Sequence, residues 1–202
     1  MDAEPDVVVL CNPLKAMPAI LAALAPLMGD HPNTTLTDVG SVKGMVRDQV
    51  KAAGLGKCYV GAHPMAGNEL SGWQPPTRIC TTVPYGPSPW TSPRTTAASS
   101  RRRDDHQGVG NRVIVVDDET HDKAAAMISH MPHVVSTALI NELVANPDRN
   151  IAAALAAGCW RDMTRVSLTD PDRTRAMVEE DSRERRSALR RMAARLTDMA
   201  DQ

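Results

Sequence analysis

The chain has 202 residues, with 24 Asp and Glu against 23 Lys and Arg, so its net charge is close to zero. That length suits one large domain or two small ones. The balanced charge argues against a nucleic-acid partner and against a membrane partner. Four cysteines (Cys11, Cys58, Cys80 and Cys159) are scattered without a C-x-x-C pair. This argues against a disulfide framework and against a zinc site, and no metal is expected. The start is acidic and no apolar run is long enough to span a bilayer, so a cytoplasmic protein is expected. There is no Phe, so Leu, Val, Ile, Met and Ala must fill the core.

Asp6 to Leu10 is a continuous apolar run, the pattern of a parallel strand buried on both faces. Asn12 is placed to cap a helix and Pro13 fits its first turn. Apolar residues then recur at helical spacing: Leu14, Met17, Ile20, Leu21, Leu24 and Met28. Pro18 and Pro26 limit or kink that helix. Thr34 to Asp38 reads as a second strand and Val42 to Ala53 as a second helix, stopped by Gly54 or Gly56. Cys58 to Gly61 reads as a third strand. Strand, helix, strand, helix, strand in this order is a doubly wound α/β pattern.

Residues 74–110 are rich in Pro, Thr, Ser and Arg and show no apolar period, which is unusual inside a compact domain. A strand is expected at Val113 to Val116. From about Thr120 onward the pattern is helical. Met127, Val134, Val135, Leu139 and Leu143 mark one long amphipathic helix, and Ile151 to Ala157, Arg173 to Glu180 and Arg183 to Met199 supply others. The arginine runs at 101–103 and 183–195 read as solvated faces or loops.

Four constellations can carry chemistry. Thr37 to Gly44 is a strand end turning into a helix, where doubly wound folds bind ligands and free amides meet anions; its structural alternative is a plain turn capped by Ser41. Gly61 to Gly67 sets His63 just past a strand, where an imidazole can accept a hydroxyl proton; its alternative is a surface-loop histidine. Ser129 to His133 puts His130 and His133 on one helical face, without an acidic or Cys partner at metal-ligand spacing. Trp160 to Arg165 offers an arginine able to clamp a carboxylate, or else a surface salt bridge with Asp162.

The motifs D-V-V-V-L-x-x-P, T-D-V-G-S-V-K-G, G-x-H-P-M-A-G-x-E-x-S-G-W, E-T-H-D, S-H-M-P-H and R-D-M-T-R occur in one order. Together they resemble the prephenate and arogenate dehydrogenase family, over Asp6 to Trp73 and Arg112 to about Glu180. The resemblance implies oxidative decarboxylation of prephenate with NAD or NADP in tyrosine biosynthesis. It places the catalytic base on His63 and a serine near the reacting hydroxyl on Ser41. It places the carboxylate-binding arginine on Arg165, with Asp162 as its orienting partner, and a substrate-pocket histidine on His133. Asn12, Pro13, Gly40 and Ser41 fall on segments that touch the cofactor. A homodimer made by the helical part is implied as well.

The sequence also departs from the family. No G-x-G-x-x-G occurs in the chain. Those glycines cradle the pyrophosphate, so the chain reads as N-terminally truncated, and as written it is expected to turn over little substrate. Between Trp73 and Arg112 the family pattern is lost. Back-translating Arg78 to Pro93 with G/C-ending codons and reading two bases later gives a string like the family's strand, so residues 74–110 read as out of frame or disordered. The expected architecture is an incomplete Rossmann-type doubly wound domain over 1–117, followed by a helical substrate and dimerisation domain over 118–202. The competing readings are arogenate dehydrogenase, and an inactive remnant serving only as a helical dimerisation module.

Overall fold

The computed structural model describes residues 4–65, 83–85, 113–180 and 182–202. These fall into two compact units, one running to Asp122 and the other starting at Lys123.

The first unit is built on a parallel sheet of order β1–β2–β3: Val7–Leu10, Thr35–Asp38 and Tyr59–Val60. Val7 pairs with Thr35 and Leu10 with Asp38, while Leu36 pairs with Tyr59. The central strand β2 is buried throughout. Parallel strands need crossovers, and two helices supply them, α1 (Met17–Gly29) and α2 (Gly44–Ala52). Met17, Leu21 and Met28 of α1 and Val46 and Val50 of α2 join Leu10, Leu36 and Tyr59 in one core. Val83–Tyr85 (β4) and Val113–Val115 (β5) form a separate parallel pair.

Several expectations are corrected here. The apolar run of β1 is not buried on both faces, since Val9 is 45% exposed. Among the described residues β1 is an edge strand. Asn12 caps nothing; its amide donates to the Pro13 carbonyl at 2.9 Å. A short 3₁₀ turn, Leu14–Ala16, intervenes before α1 begins at Met17. Pro18 sits in the first turn of α1, where its missing N–H costs nothing. Helix α2 starts at Gly44 rather than at Val42, and Ser41 does not cap it. Of the stretch 74–110, Val83–Tyr85 form strand β4, and the rest lies outside the described residues.

Gly54 ends α2 because it adopts a φ of +76°. Its amide returns to the Lys51 carbonyl and that of Leu55 to the Val50 carbonyl, each at 3.0 Å. These are the paired bonds of a Schellman motif, and Leu55 and Val50 close it with apolar contact in the core.

The second unit is helical. Helix α3 (Asp118–Ala125), whose residues up to Asp122 belong to the first unit, is followed by a wider π turn, Ala126–His130, and by α4 (Met131–Ala145). There follow α5 (Arg149–Ala154), α6 (Gly158–Thr164), a 3₁₀ turn (Arg165–Leu168), α7 (Pro171–Glu180) and α8 (Ser182–Ala200). The π turn inserts a residue and shifts the helical register. Met127, read as part of the apolar stripe, is therefore 53% exposed, while Ala126, His130 and Ser136 are buried. No helix among the described residues is long and apolar enough to cross a membrane.

Candidate active site

The site in the α/β unit is organised by one carboxylate. Asp38 ends the central strand and is fully buried. Such a charge survives burial only when paired and hydrogen-bonded. Its Oδ2 accepts from the Lys43 ammonium and from the Gly40 amide at 2.8 Å. Its Oδ1 accepts from the Tyr59 hydroxyl at 2.6 Å and from the Ala62 amide at 3.4 Å. Lys43 Nζ also donates to the Ala62 carbonyl at 2.7 Å. The carboxyl ends of β2 and β3 and the start of α2 are thus tied into one polar knot directly before His63. Burial lowers the Lys43 pKa, against the opposing pull of Asp38 and then of Asp122 and Asp118. Burial first, and then the Asp38 carboxylate, raises the Tyr59 pKa far above the ordinary phenol value, so its hydroxyl stays a donor.

Gly40 is a position of close approach. A Cβ there would stand 2.8 Å from Leu14 and 2.9 Å from the Asp38 carboxylate. A side chain at this position would therefore have to displace Leu14 and the Asp38 carboxylate.

Helix α3 supplies the other half. Asp122 accepts from the backbone amides of Lys43 at 2.8 Å and Gly44 at 2.9 Å. The N-terminus of α2 is thus capped from a distant part of the chain, in place of Ser41. Asp118 receives a two-pronged ion pair from Arg47, one prong at 2.9 Å. Asp117 caps α3 itself, through the Thr120 amide at 2.8 Å and hydroxyl at 2.7 Å.

His63 is half-buried just past β3. Its Nδ1 lies 3.0 Å from His121 Nε2, and His121 Nδ1 lies 2.7 Å from Asp122 Oδ1. The two rings meet edge to face, with centroids 5.2 Å apart. His121 is almost completely buried. Burial pushes the Asp122 pKa up, but the bonds from His121 and from the Lys43 and Gly44 amides outweigh it and hold the carboxyl below its ordinary range. Neither His121 nor Asp122 was singled out from the sequence. Their one signal was the E-T-H-D motif, whose partner His63 stands 58 residues away.

At the end of β1, Asn12 Oδ1 is a buried acceptor without a protein donor. Pro13 is exposed, and Ser41 is half-buried beyond Gly40.

The helical unit gathers its own polar set. His133 is half-buried and Ser136 buried on α4. His133 Nδ1 and Ser136 Oγ are both shut away without a hydrogen-bond partner. Burial lowers the His133 pKa, and the positive surroundings of His130, Arg173 and Arg165 lower it further. Arg165 is exposed at the start of its 3₁₀ turn, directly after α6. Asp162 is exposed and meets Arg161 at 3.8 Å. Among the described residues no cluster of His, Cys, Asp or Glu could hold a metal ion.

A parallel α/β unit with polar residues at its carboxyl strand ends, in a chain that continues as an all-helical unit, fits the doubly wound class that binds its ligand at those strand ends. Residues 2–77 match the family model of the prephenate dehydrogenase nucleotide-binding domain, and residues 117–202 that of the prephenate dehydrogenase dimerization domain. The chain belongs to the prephenate dehydrogenase family. It is 31% identical over 172 residues to the cyclohexadienyl dehydrogenase of Zymomonas mobilis, covering 83% of this chain and 57% of that protein. To the prephenate dehydrogenase of Lactococcus lactis it is 27% identical, covering 83% of this chain and 46% of that one. The chain thus spans about half the length of these curated relatives. Among solved structures it resembles the prephenate dehydrogenase of Aquifex aeolicus in complex with hydroxyphenyl propionate and NAD+, with a TM-score of 0.83, 28% identity, and coverage of 99% of this chain and 69% of that one. It also resembles the arogenate dehydrogenase of Synechocystis, with a TM-score of 0.78, 26% identity, and coverage of 97% and 70%.

Proposed function

We propose that this chain carries the chemistry of oxidative decarboxylation of prephenate to 4-hydroxyphenylpyruvate, with NAD or NADP as oxidant. The observation that carries the reading is His63: an imidazole past a strand end of a nucleotide-binding unit, its Nδ1 held by a buried partner. In this role His63 accepts the proton of the substrate's ring hydroxyl while the carbon beneath it loses a hydride. The bound dinucleotide supplies the hydride acceptor. The ring carboxylate then leaves as carbon dioxide, and the ring becomes aromatic.

The other residues bind and orient. Ser41 stands at the reacting hydroxyl, and Arg165 and His133 receive substrate carboxylate in the helical unit, with Asp162 orienting. Asn12, Pro13, Gly40 and Ser41 line the cofactor side. The residues present fit the nicotinamide end of a dinucleotide: the orphaned Asn12 Oδ1 is an acceptor that a carboxamide N–H can satisfy. The helical unit is assigned to a homodimer contact, after the description of the domain it matches.

Arogenate is the second substrate to test, because the Synechocystis relative is an arogenate dehydrogenase of similar fold. The two substrates differ only in the side chain. The deciding experiment has two parts. Calorimetry with hydroxyphenyl propionate tests the substrate end in this chain alone. Reduction of NAD+ and NADP+ with prephenate and with arogenate tests the reaction. Binding that is lost in Arg165→Ala supports the reading; absence of binding together with absence of turnover on either substrate removes it.

A further inference from the structure

We propose that His121 and Asp122 are positioning residues that fix the tautomer of His63, so that its Nε2 always presents a lone pair to the substrate hydroxyl. The proposal rests on the reading of His63 as the proton acceptor. It is carried by one chain of contacts: Asp122 Oδ1 to His121 Nδ1 at 2.7 Å, then His121 Nε2 to His63 Nδ1 at 3.0 Å.

The donor and acceptor roles follow in sequence. Asp122 takes hydrogen bonds from the amides of Lys43 and Gly44, at the positive end of the α2 dipole. These contacts keep it an anion, and an ionised carboxylate can only accept. His121 must therefore place its proton on Nδ1 to donate to Asp122. A neutral imidazole carries one N–H, so His121 Nε2 is left as an acceptor. That acceptor faces His63 Nδ1, which must then be the protonated nitrogen of His63. Its remaining nitrogen, Nε2, carries the lone pair. Nδ1–H is the less populated tautomer of free histidine, so the chain of contacts reverses an intrinsic preference.

Burial makes the selection strict. His121 is 3% exposed, so water cannot readily replace either of its bonds, and a mismatched tautomer would leave two buried lone pairs facing one another. The carboxylate also acts during the reaction. When the substrate O–H bond breaks and the Nε2–H bond forms, His63 becomes an imidazolium. Its Nδ1–H stays in place and donates to His121. The negative charge of Asp122, two bonds away, favours that cation, and no proton need move along the chain. The neighbouring ion pair of Lys43 and Asp38 holds the peptide that precedes His63, through the carbonyl and amide of Ala62.

The test is made on the 202-residue chain labelled with ¹⁵N histidine. Two-bond proton–nitrogen correlation spectra are recorded at about pH 8, well above the ordinary imidazole pKa of about 6.5. Both His63 and His121 are expected as Nδ1–H tautomers. In His121→Ala, His63 is expected to revert to mainly Nε2–H. In His121→Gln, whose side-chain oxygen can stand where Nε2 stood, His63 is expected to keep Nδ1–H. A wild-type His63 found as Nε2–H, or one that keeps Nδ1–H in His121→Ala, overturns the proposal. If His121→Ala does not fold, the wild-type spectrum decides alone. None of these readings needs turnover, so a failure of the dehydrogenase reading would leave the tautomer result standing. In an active form of the enzyme, His121→Ala should lower kcat by less than the roughly 10²–10⁴-fold worth of a general base, with KM unchanged and His121→Gln restoring most of the rate.

Discussion

Lys43 and Asp38 form an ion pair from which solvent is excluded, with side chains 1% and 0% exposed. Removing one partner of such a pair strands the other, and typically costs about 3–5 kcal/mol. Lys43→Met keeps the length of the side chain and deletes the charge. It should lower stability by about that amount, measured as a fall in the urea midpoint with unchanged slope. Tyr59→Phe removes one of several donors to Asp38 and should cost less, about 1.5–3 kcal/mol. A smaller loss for Lys43→Met than for Tyr59→Phe would show that the hydroxyl, not the ammonium, carries Asp38.

Asp122 caps α2 from another helix, and losing a side-chain cap costs about 0.5–2 kcal/mol. Asp122→Ala should lose at least this. The acid dependence has a definite sign. The Asp122 pKa is depressed in the folded state, so its contribution is present above the unfolded value of about 3.9. It disappears as pH falls through the lower folded value, because the unfolded chain binds the proton first. Asp122→Asn should flatten this part of the stability profile between pH 5 and pH 2, by roughly one carboxyl's worth. Identical acid limbs for wild type and variant would remove Asp122 from the account.

His133 should titrate below an ordinary histidine, because burial and then His130, Arg173 and Arg165 disfavour its cation. The folded state therefore binds fewer protons than the unfolded one just below the ordinary pKa. Stability from this group is full above about pH 6.5 and declines as pH falls through the folded value. A bound carboxylate reverses the sign of the local field. Hydroxyphenyl propionate should raise the His133 pKa and be bound with proton uptake at mildly acidic pH. Proton NMR of the ring C–H signals measures both. A pKa that stays put on saturation would place the ligand's carboxylate elsewhere.

His63 and Arg165 should separate in kinetics when an active form of the enzyme is assayed. His63→Asn removes a group assigned to a moving proton and should lower kcat by roughly 10²–10⁴-fold. Arg165→Ala removes a charge contact already made in the ground state, so KM should rise while kcat changes less. If Arg165→Ala depresses kcat as severely with KM constant, the arginine acts on the transition state. If neither change matters, the roles assigned to both residues are wrong.

The sequence by itself determined what is local and periodic. Leu14 to Met28 repeats at helical spacing because one face of a helix must meet the core, and α1 follows. Gly54 could be named as a stop because only a residue without Cβ enters the left-handed region cheaply, and its φ of +76° is the result. The order of the motifs was enough to point to the family, whose two domain models match residues 2–77 and 117–202. Tertiary structure decided whatever depends on partners distant in the chain. A carboxylate 79 residues away caps α2, although Ser41 stands beside its start. Local reading could not see this, because any acceptor can satisfy a helix N-terminus and sequence distance carries no geometry. The π turn moved Met127 outward and His130 inward, since one inserted residue rotates everything before it relative to everything after. The contacts from Asp122 to His121 and from His121 to His63 depend on ring orientation: which nitrogen faces which atom is set by packing, and no spacing of letters encodes it.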